Sequence, residues 1–199
     1  MKFKSYRMDE LAIIKYGKNQ KKVISKDGNI PIFGTGGLIG YANKALYAKP
    51  SVLIGRKGTI DRPIFVTEPF WTVDTLFYTI INEDLILPQY LYYLISNTDL
   101  KLLNEGTTIP SLRTETLNRL ILNIPKLTDQ RKIVSLIQPI ENKIQSNNKI
   151  NKNLFEQAQV LFQSWFCNFD PYDGVMPSDW HYGTVSEIIE LHGMEDKRR

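Results

Sequence analysis

The 199-residue chain is poor in the residues that most enzymes and secreted scaffolds depend on. It has a single cysteine, Cys167, which excludes a disulfide framework and a cysteine-built zinc site. Its two histidines, His181 and His192, both lie near the C-terminus, so a histidine metal centre or a triad has nothing to be built from in the body of the chain. No apolar run reaches the length of a membrane span. The opening Met1-Lys-Phe-Lys-Ser is not followed by an apolar stretch, unlike a secretory leader, so an intracellular, cytoplasmic protein is expected. With 42% hydrophobic and 23% charged residues the composition is that of a globular domain with a sizeable core.

Charge is abundant but unevenly placed. Residues 1–62 carry 13 Lys and Arg against 4 Asp and Glu, whereas residues 63–127 carry 4 against 7. Residues 128–167 carry 5 against 3, and residues 168–199 carry 3 against 7. A first third this basic suits a polyanionic partner, nucleic acid above all, although a solvated basic face has the same composition.

Residues 1–127 read as one α+β unit with a short-stranded sheet. Strand-like runs occur at Pro31–Phe33, Ser51–Ile54, Pro63–Thr67, Thr75–Ile81 and Arg119–Ile124, punctuated by Gly, Pro and Asn. Pro88 at a first helical position predicts a helix over Pro88–Ser96, with shorter helical pieces at Thr98–Leu103 and Thr114–Asn118. Strands and helices do not alternate, which disfavours a doubly wound nucleotide fold. The aromatic stretch Pro69–Thr75 and the tyrosines 90, 92 and 93 read as core.

Residues 128–167 are different in kind. From Asp129 to Phe166 there is no glycine and one proline, Pro139. Thr128 is the expected N-cap, and a helix of this length would span about 60 Å. Ile133, Ile137, Ile140, Ile144, Asn147, Asn151, Leu154, Ala158, Leu161 and Trp165 fall at alternating steps of four and three, a heptad seam that is apolar except at its centre. Its positions pair symmetrically about residue 149, so an antiparallel homodimer would set Ile133 against Trp165 and Asn147 against Asn151. Pro139 should kink the helix or start a new one near Gln138. Residues 168–199 form a turn followed by a tail, Trp180 through Gly193, that loosely echoes the aromatic residue and apolar cluster of Tyr6–Gly17.

Three stretches mimic catalytic motifs without completing them. Phe33-Gly-Thr-Gly-Gly37 and Asp170-Pro-Tyr172 each depart from the S-adenosylmethionine and active-site motifs of adenine methyltransferases. Gly55-Arg-Lys-Gly-Thr59 is too short for a phosphate-binding P-loop. As binding loops they fare better. Lys18, Lys21 and Lys22, then Thr35 and Gly36 with Tyr41, then Arg56, Lys57, Thr59 and Arg62, and finally Thr107, Thr108, Ser111 and Arg113 form four polar segments expected to share one DNA-facing surface. In that reading Lys21 and Lys22 neutralise phosphates, and Arg56 and Arg113 are positioned to read bases.

The order of these segments resembles the specificity subunits of type I restriction–modification systems. The resemblance is carried by Ile32–Tyr41, Val52–Thr59, Pro69–Asp74, Gly106-Thr-Thr with Leu112, and Ile124–Val134. It implies a non-catalytic protein in which a target-recognition domain reads one half of a split sequence in double-stranded DNA and is followed by a long helix. It also implies methyltransferase and restriction subunits as partners. S-adenosylmethionine, ATP and Mg would then belong to those partners, with no cofactor or metal held by this chain. Such subunits carry two recognition domains; a chain with one implies a homodimer and no membrane association. A stand-alone dimeric DNA-binding regulator is the competing reading. An enzyme acting on nucleotides is disfavoured by the lack of a His, Cys or paired-carboxylate constellation in residues 1–167.

Overall fold

The computed structural model describes residues 1–186 and divides into two compact units, which meet at Pro139 and Ile140. The first opens with strand β1 (Phe3–Arg7), a single helical turn α1 (Met8–Leu11) and β2 (Ala12–Tyr16). It continues through β3 (Ile30–Gly34), β4 (Gly37–Ala42), β5 (Ser51–Gly55), β6 (Ile64–Val66), β7 (Trp71–Thr72) and β8 (Leu76–Ile81). Helix α2 (Pro88–Ser96), a short helix α3 (Thr114–Asn118), β9 (Ile121–Pro125) and the first part of the long helix α4 (Leu127–Phe162) complete it, and the rest of α4 belongs to the second unit. The strands form three small sheets ordered β1-β9, β2-β8-β5-β6 and β4-β3-β7. The α+β class and the sheet-then-helix plan read from sequence are those of the fold.

The main core lies between the four-stranded sheet and α2. All five residues of β5 are buried, as an uninterrupted apolar run between two neighbouring strands requires. Its one polar side chain is fully matched. Ser51 Oγ donates to the Thr79 carbonyl (2.8 Å) and accepts the Thr79 N–H (2.9 Å), while Thr79 Oγ1 accepts the Val52 N–H (2.9 Å). These hydroxyls continue the β5–β8 ladder beyond its backbone pairs at Ile54–Phe77 and Gly55–Leu76. Helix α2 runs over the expected residues and sends Tyr90, Leu91, Tyr93 and Ile95 into the core. Phe70 and Trp71 are buried too, so the 69–75 stretch is core rather than a stacking platform.

Several local expectations are corrected. Strands β1, β2 and β7 carry no strong sequence signal and gain their pairing from partners far along the chain, whereas β4 pairs with its neighbour β3 in a hairpin. Tyr41 lies within β4 rather than in a loop. The 98–103 helix is reduced to a 3-10 turn at Leu100–Leu103. Thr128 is not the N-cap of α4: the helix already includes Leu127, and the Lys126 carbonyl accepts the first amide bonds from Asp129 and Gln130. Pro139 lies inside α4 and no new helix starts there.

The heptad seam divides between the units. Ile133, half-buried, packs with Val134 against the domain core. Ile140, Ile144, Leu154, Leu161 and Trp165 are all exposed, as are Asn147, Asn151 and Ala158. Trp165 falls in a π-helical turn, Gln163–Cys167, whose wider winding carries it off the α-helical track. In the second unit Trp180 stacks on Phe166 (centroids 5.5 Å) and meets Phe169 and Tyr172 edge-on. Val185 and Ser186 are helical. The rest of the tail echo, through His192 and Gly193, lies outside the described residues.

Candidate DNA interface

Each basic or glycine-rich segment singled out in the sequence is a connection between strands or helices. The Phe33–Gly37 motif is the turn of the β3–β4 hairpin, with Gly34 paired to Gly37. No helix follows it, so it lacks the strand-to-helix setting of a methyl-donor loop. The Arg56–Thr59 turn leaves β5 directly. A Cβ at Gly55 would lie 2.0 Å from the Thr59 carbonyl oxygen, so only glycine lets the chain double back there. Gly58 adopts φ +87°, which closes the turn.

Three of the four segments meet. Gly58 N–H donates to the Pro110 carbonyl (2.9 Å), Leu112 N–H donates to the Arg56 carbonyl (2.9 Å), and Lys57 bridges to Ser111. On the other side of the turn, a Cβ on Gly58 would stand 3.7 Å from Thr35 Oγ1. The hairpin tip with Thr35 and Gly36, the 56–59 turn and the 107–113 loop therefore form one continuous polar surface. A cavity of about 340 Å³ opens there, lined by Tyr16, Arg56, Lys57, Ser111, Leu112, Arg113 and Glu115. Thr107 and Thr108 are exposed on the same loop.

The fourth segment starts beside this surface, two residues after Tyr16 and against β7, which pairs with Phe33, and then runs away from it. Lys18 N–H donates to the Thr72 carbonyl (2.8 Å), and the Lys18 carbonyl accepts the Trp71 indole N–H (2.8 Å). Beyond Lys21 and Lys22 the chain leads into Val23, which packs on Ala42. Ala42 pairs with Ile30, at the end of the β3–β4 hairpin opposite Thr35, about 15 Å away at ~3.3 Å per residue. Arg62 is exposed, and none of the bonds that join the three segments involves it. Its neighbour Asp61 is bridged by Lys101 (2.9 Å), whose hydrogen bond holds the Asp61 carboxyl below the usual range.

The structure gives the cations unequal freedom. Arg56, expected to read bases, donates from Nη1 to the Asp74 carbonyl (2.9 Å), and its guanidinium lies 5.3 Å from the centre of the Tyr16 ring. It links the turn after β5 to the β7–β8 connection and to the end of β2. Arg113 is paired through Nε to Glu105 (3.0 Å), and Glu105 also accepts from the Thr116 hydroxyl. Lys57 is exposed, with no carboxylate in salt-bridge range among the described residues. Sequence reasoning missed Tyr16, Asp74 and Glu105, the residues that position these cations. Only the acidic character of Asp74 and Glu105 was legible, and their sequence distances from Arg56 and Arg113 gave no hint of contact.

Among the described residues no helix is long and apolar enough to cross a membrane.

Comparison with known proteins agrees with this layout. The family described as the type I restriction modification DNA specificity domain matches residues 1–156. A curated relative, the type I restriction enzyme HindI specificity subunit of Haemophilus influenzae, is 36% identical over 96 residues, covering 45% of this chain and 21% of the relative. The MjaIX specificity subunit of Methanocaldococcus jannaschii is 26% identical over 161 residues, covering 73% of this chain and 37% of the relative. The crystal structure of a type I restriction–modification S subunit from M. genitalium superposes with a TM-score of 0.69 at 17% identity, over 85% of this chain and 48% of that one. The chain thus spans half or less of the length of the relatives it matches. With the family match running from the first strand into the long helix, the chain belongs to the type I restriction–modification DNA specificity family.

Proposed function

We propose that the chain is a non-catalytic DNA-specificity module, acting in the cytoplasm, whose recognition domain reads one half of a split target in double-stranded DNA. The observation that carries this is the convergence of the Thr35–Gly36 tip, the Lys57 turn and the 107–113 loop on one polar surface around the Arg56–Arg113 cavity. Lys57 contacts a phosphate, the hydroxyls of Thr35, Thr107, Thr108 and Ser111 face base edges, and Arg56 supports the surface from behind.

Two copies pair antiparallel through α4. The unpartnered seam from Ile137 to Leu161 supports this pairing. Ile137 faces Leu161, Ile140 faces Ala158, Ile144 faces Leu154, and Asn147 faces Asn151, a polar pair that fixes register at some cost in stability. Leu136, Ile150, Phe155 and Phe162 are also exposed and lie beside that seam. They leave apolar surface beyond what a second copy covers, which suits docking of a methyltransferase subunit and, through the complex, a restriction subunit. The chain binds no cofactor itself; S-adenosylmethionine, ATP and Mg serve those partners.

The test is methylation sequencing of DNA treated with this chain and its methyltransferase subunit. The expected motif is an inverted repeat with a non-specific gap, its half-sites roughly one helical turn (~34 Å) apart or slightly more. Lys57→Ala should weaken binding to all sequences alike and lower the salt slope by about one. A chain that binds DNA but never co-purifies with a methyltransferase subunit would instead be a stand-alone regulator. Absence of sequence preference would end the reading.

A further inference from the structure

Gln130 lies in the first turns of α4 and is fully buried. Its amide is spent on backbone from three other segments. Nε2 donates to the Pro125 carbonyl at the end of β9 (2.9 Å) and to the Leu85 carbonyl in the loop after β8 (2.9 Å). Oε1 accepts the N–H of Leu87 (2.9 Å), the residue that caps α2. One side chain thus ties the helix to a strand end, a loop and a helix start.

Burying this face of α4 does not require a polar residue. Ile133 and Val134 already pack against the core. Apolar contacts are non-directional, however, and tolerate sliding and rotation. Hydrogen bonds from one planar amide to three backbone groups do not, because they weaken steeply with misalignment. The clasp therefore fixes both the axial position and the rotation of the first turns of α4 against the domain that bears the polar surface.

We infer that Gln130 is a positioning residue that sets the spacing between the two half-sites a dimer reads. The inference rests on the DNA-reading and antiparallel pairing proposed above. On a duplex of 10–10.5 base pairs per turn, one base pair of extra spacer turns the second half-site by roughly 35°. A domain clasped rigidly to its helix meets only one spacer in phase; a loosened one accepts its neighbours.

The experiment uses the full chain with its methyltransferase partner, on duplexes whose half-sites are separated by spacers lengthened one base pair at a time. The wild type should prefer one spacer over its neighbours by about tenfold. Gln130→Met keeps the bulk and loses all three bonds. It should bind a single half-site within about twofold of wild type yet prefer the spacer by less than about threefold. Ile95→Val, a core variant with its own loss of melting temperature, should keep the wild-type spacer preference. If Gln130→Met does not fold, Gln130→Glu, which retains only the Leu87 bond, takes its place. An unchanged spacer preference in the variant that folds overturns the inference, and so does failure of both variants to fold, which would make Gln130 a residue of stability alone. A wild-type chain with no split-site preference would instead overturn the DNA reading, and the inference with it.

Discussion

The first 139 residues and the helix beyond them handle apolar surface in opposite ways. In the domain, large side chains such as Phe70, Phe77, Leu91 and Ile95 are completely buried. From Ile140 onward, Ile144, Ile150, Leu154, Phe155, Leu161 and Phe162 are all about half exposed or more. The domain encloses a buried core while leaving scattered residues such as Ile13, Leu38 and Leu102 exposed; the helix encloses none and presents a row of them. A helix in a folded protein gains most of its stability from packing such a face, so this row is what the proposed antiparallel pairing would bury. The same chain thus contains a part with its own buried core and a part whose apolar row suits the pairing proposed above.

The largest effect should separate the two regions most sharply. Phe77→Ala removes a fully buried ring from the core and should cost about 3–5 kcal/mol, read as a lower denaturant midpoint. In contrast, Ile144→Asp with Leu154→Asp should abolish self-association in sedimentation at micromolar concentration while leaving the domain's unfolding transition in place. Loss of the domain transition in that double variant would break the comparison. Ser51→Ala should cost about 1–3 kcal/mol of domain stability, because the Thr79 N–H loses its buried acceptor. Asn147→Leu with Asn151→Leu should tighten the dimer while loosening its orientation, seen as mixed parallel and antiparallel products in disulfide trapping. At the small end, Asp61→Asn removes an exposed ion pair with Lys101 and should leave the unfolding midpoint unchanged within error.

Much of the fold was legible where the controlling signal is local. The glycine-free, heptad-spaced stretch predicted α4 to within a few residues, and Pro88 marked α2. The run Ser51–Ile54 predicted the strand that is β5. The misses share a cause as well. Strand β1 pairs with β9, Phe3 against Pro125, and β7 joins β3 as a two-residue parallel strand. Segments this short are strands only because a distant partner supplies their hydrogen bonds.

The candidate site divides along the same line. Residue type and glycine placement picked out Thr35, Lys57, Ser111 and their neighbours, because close turns and exposed hydroxyls have a local signature. Which of these loops meet was decided by strand order. The hairpin tip and the 56–59 turn come together although they lie on different sheets, and Leu112 reaches Arg56 by a backbone bond across more than fifty residues of chain. Tertiary structure also decided that Arg56 is bound to the Asp74 carbonyl and that Gln130 clasps three segments at once. The sequence by itself determined periodicity, turn chemistry and the charge of each loop, since these depend on neighbours within a few residues. Pairing, convergence and the saturation of buried polar groups depend on residues far apart in the chain, and only the packed structure brings those together.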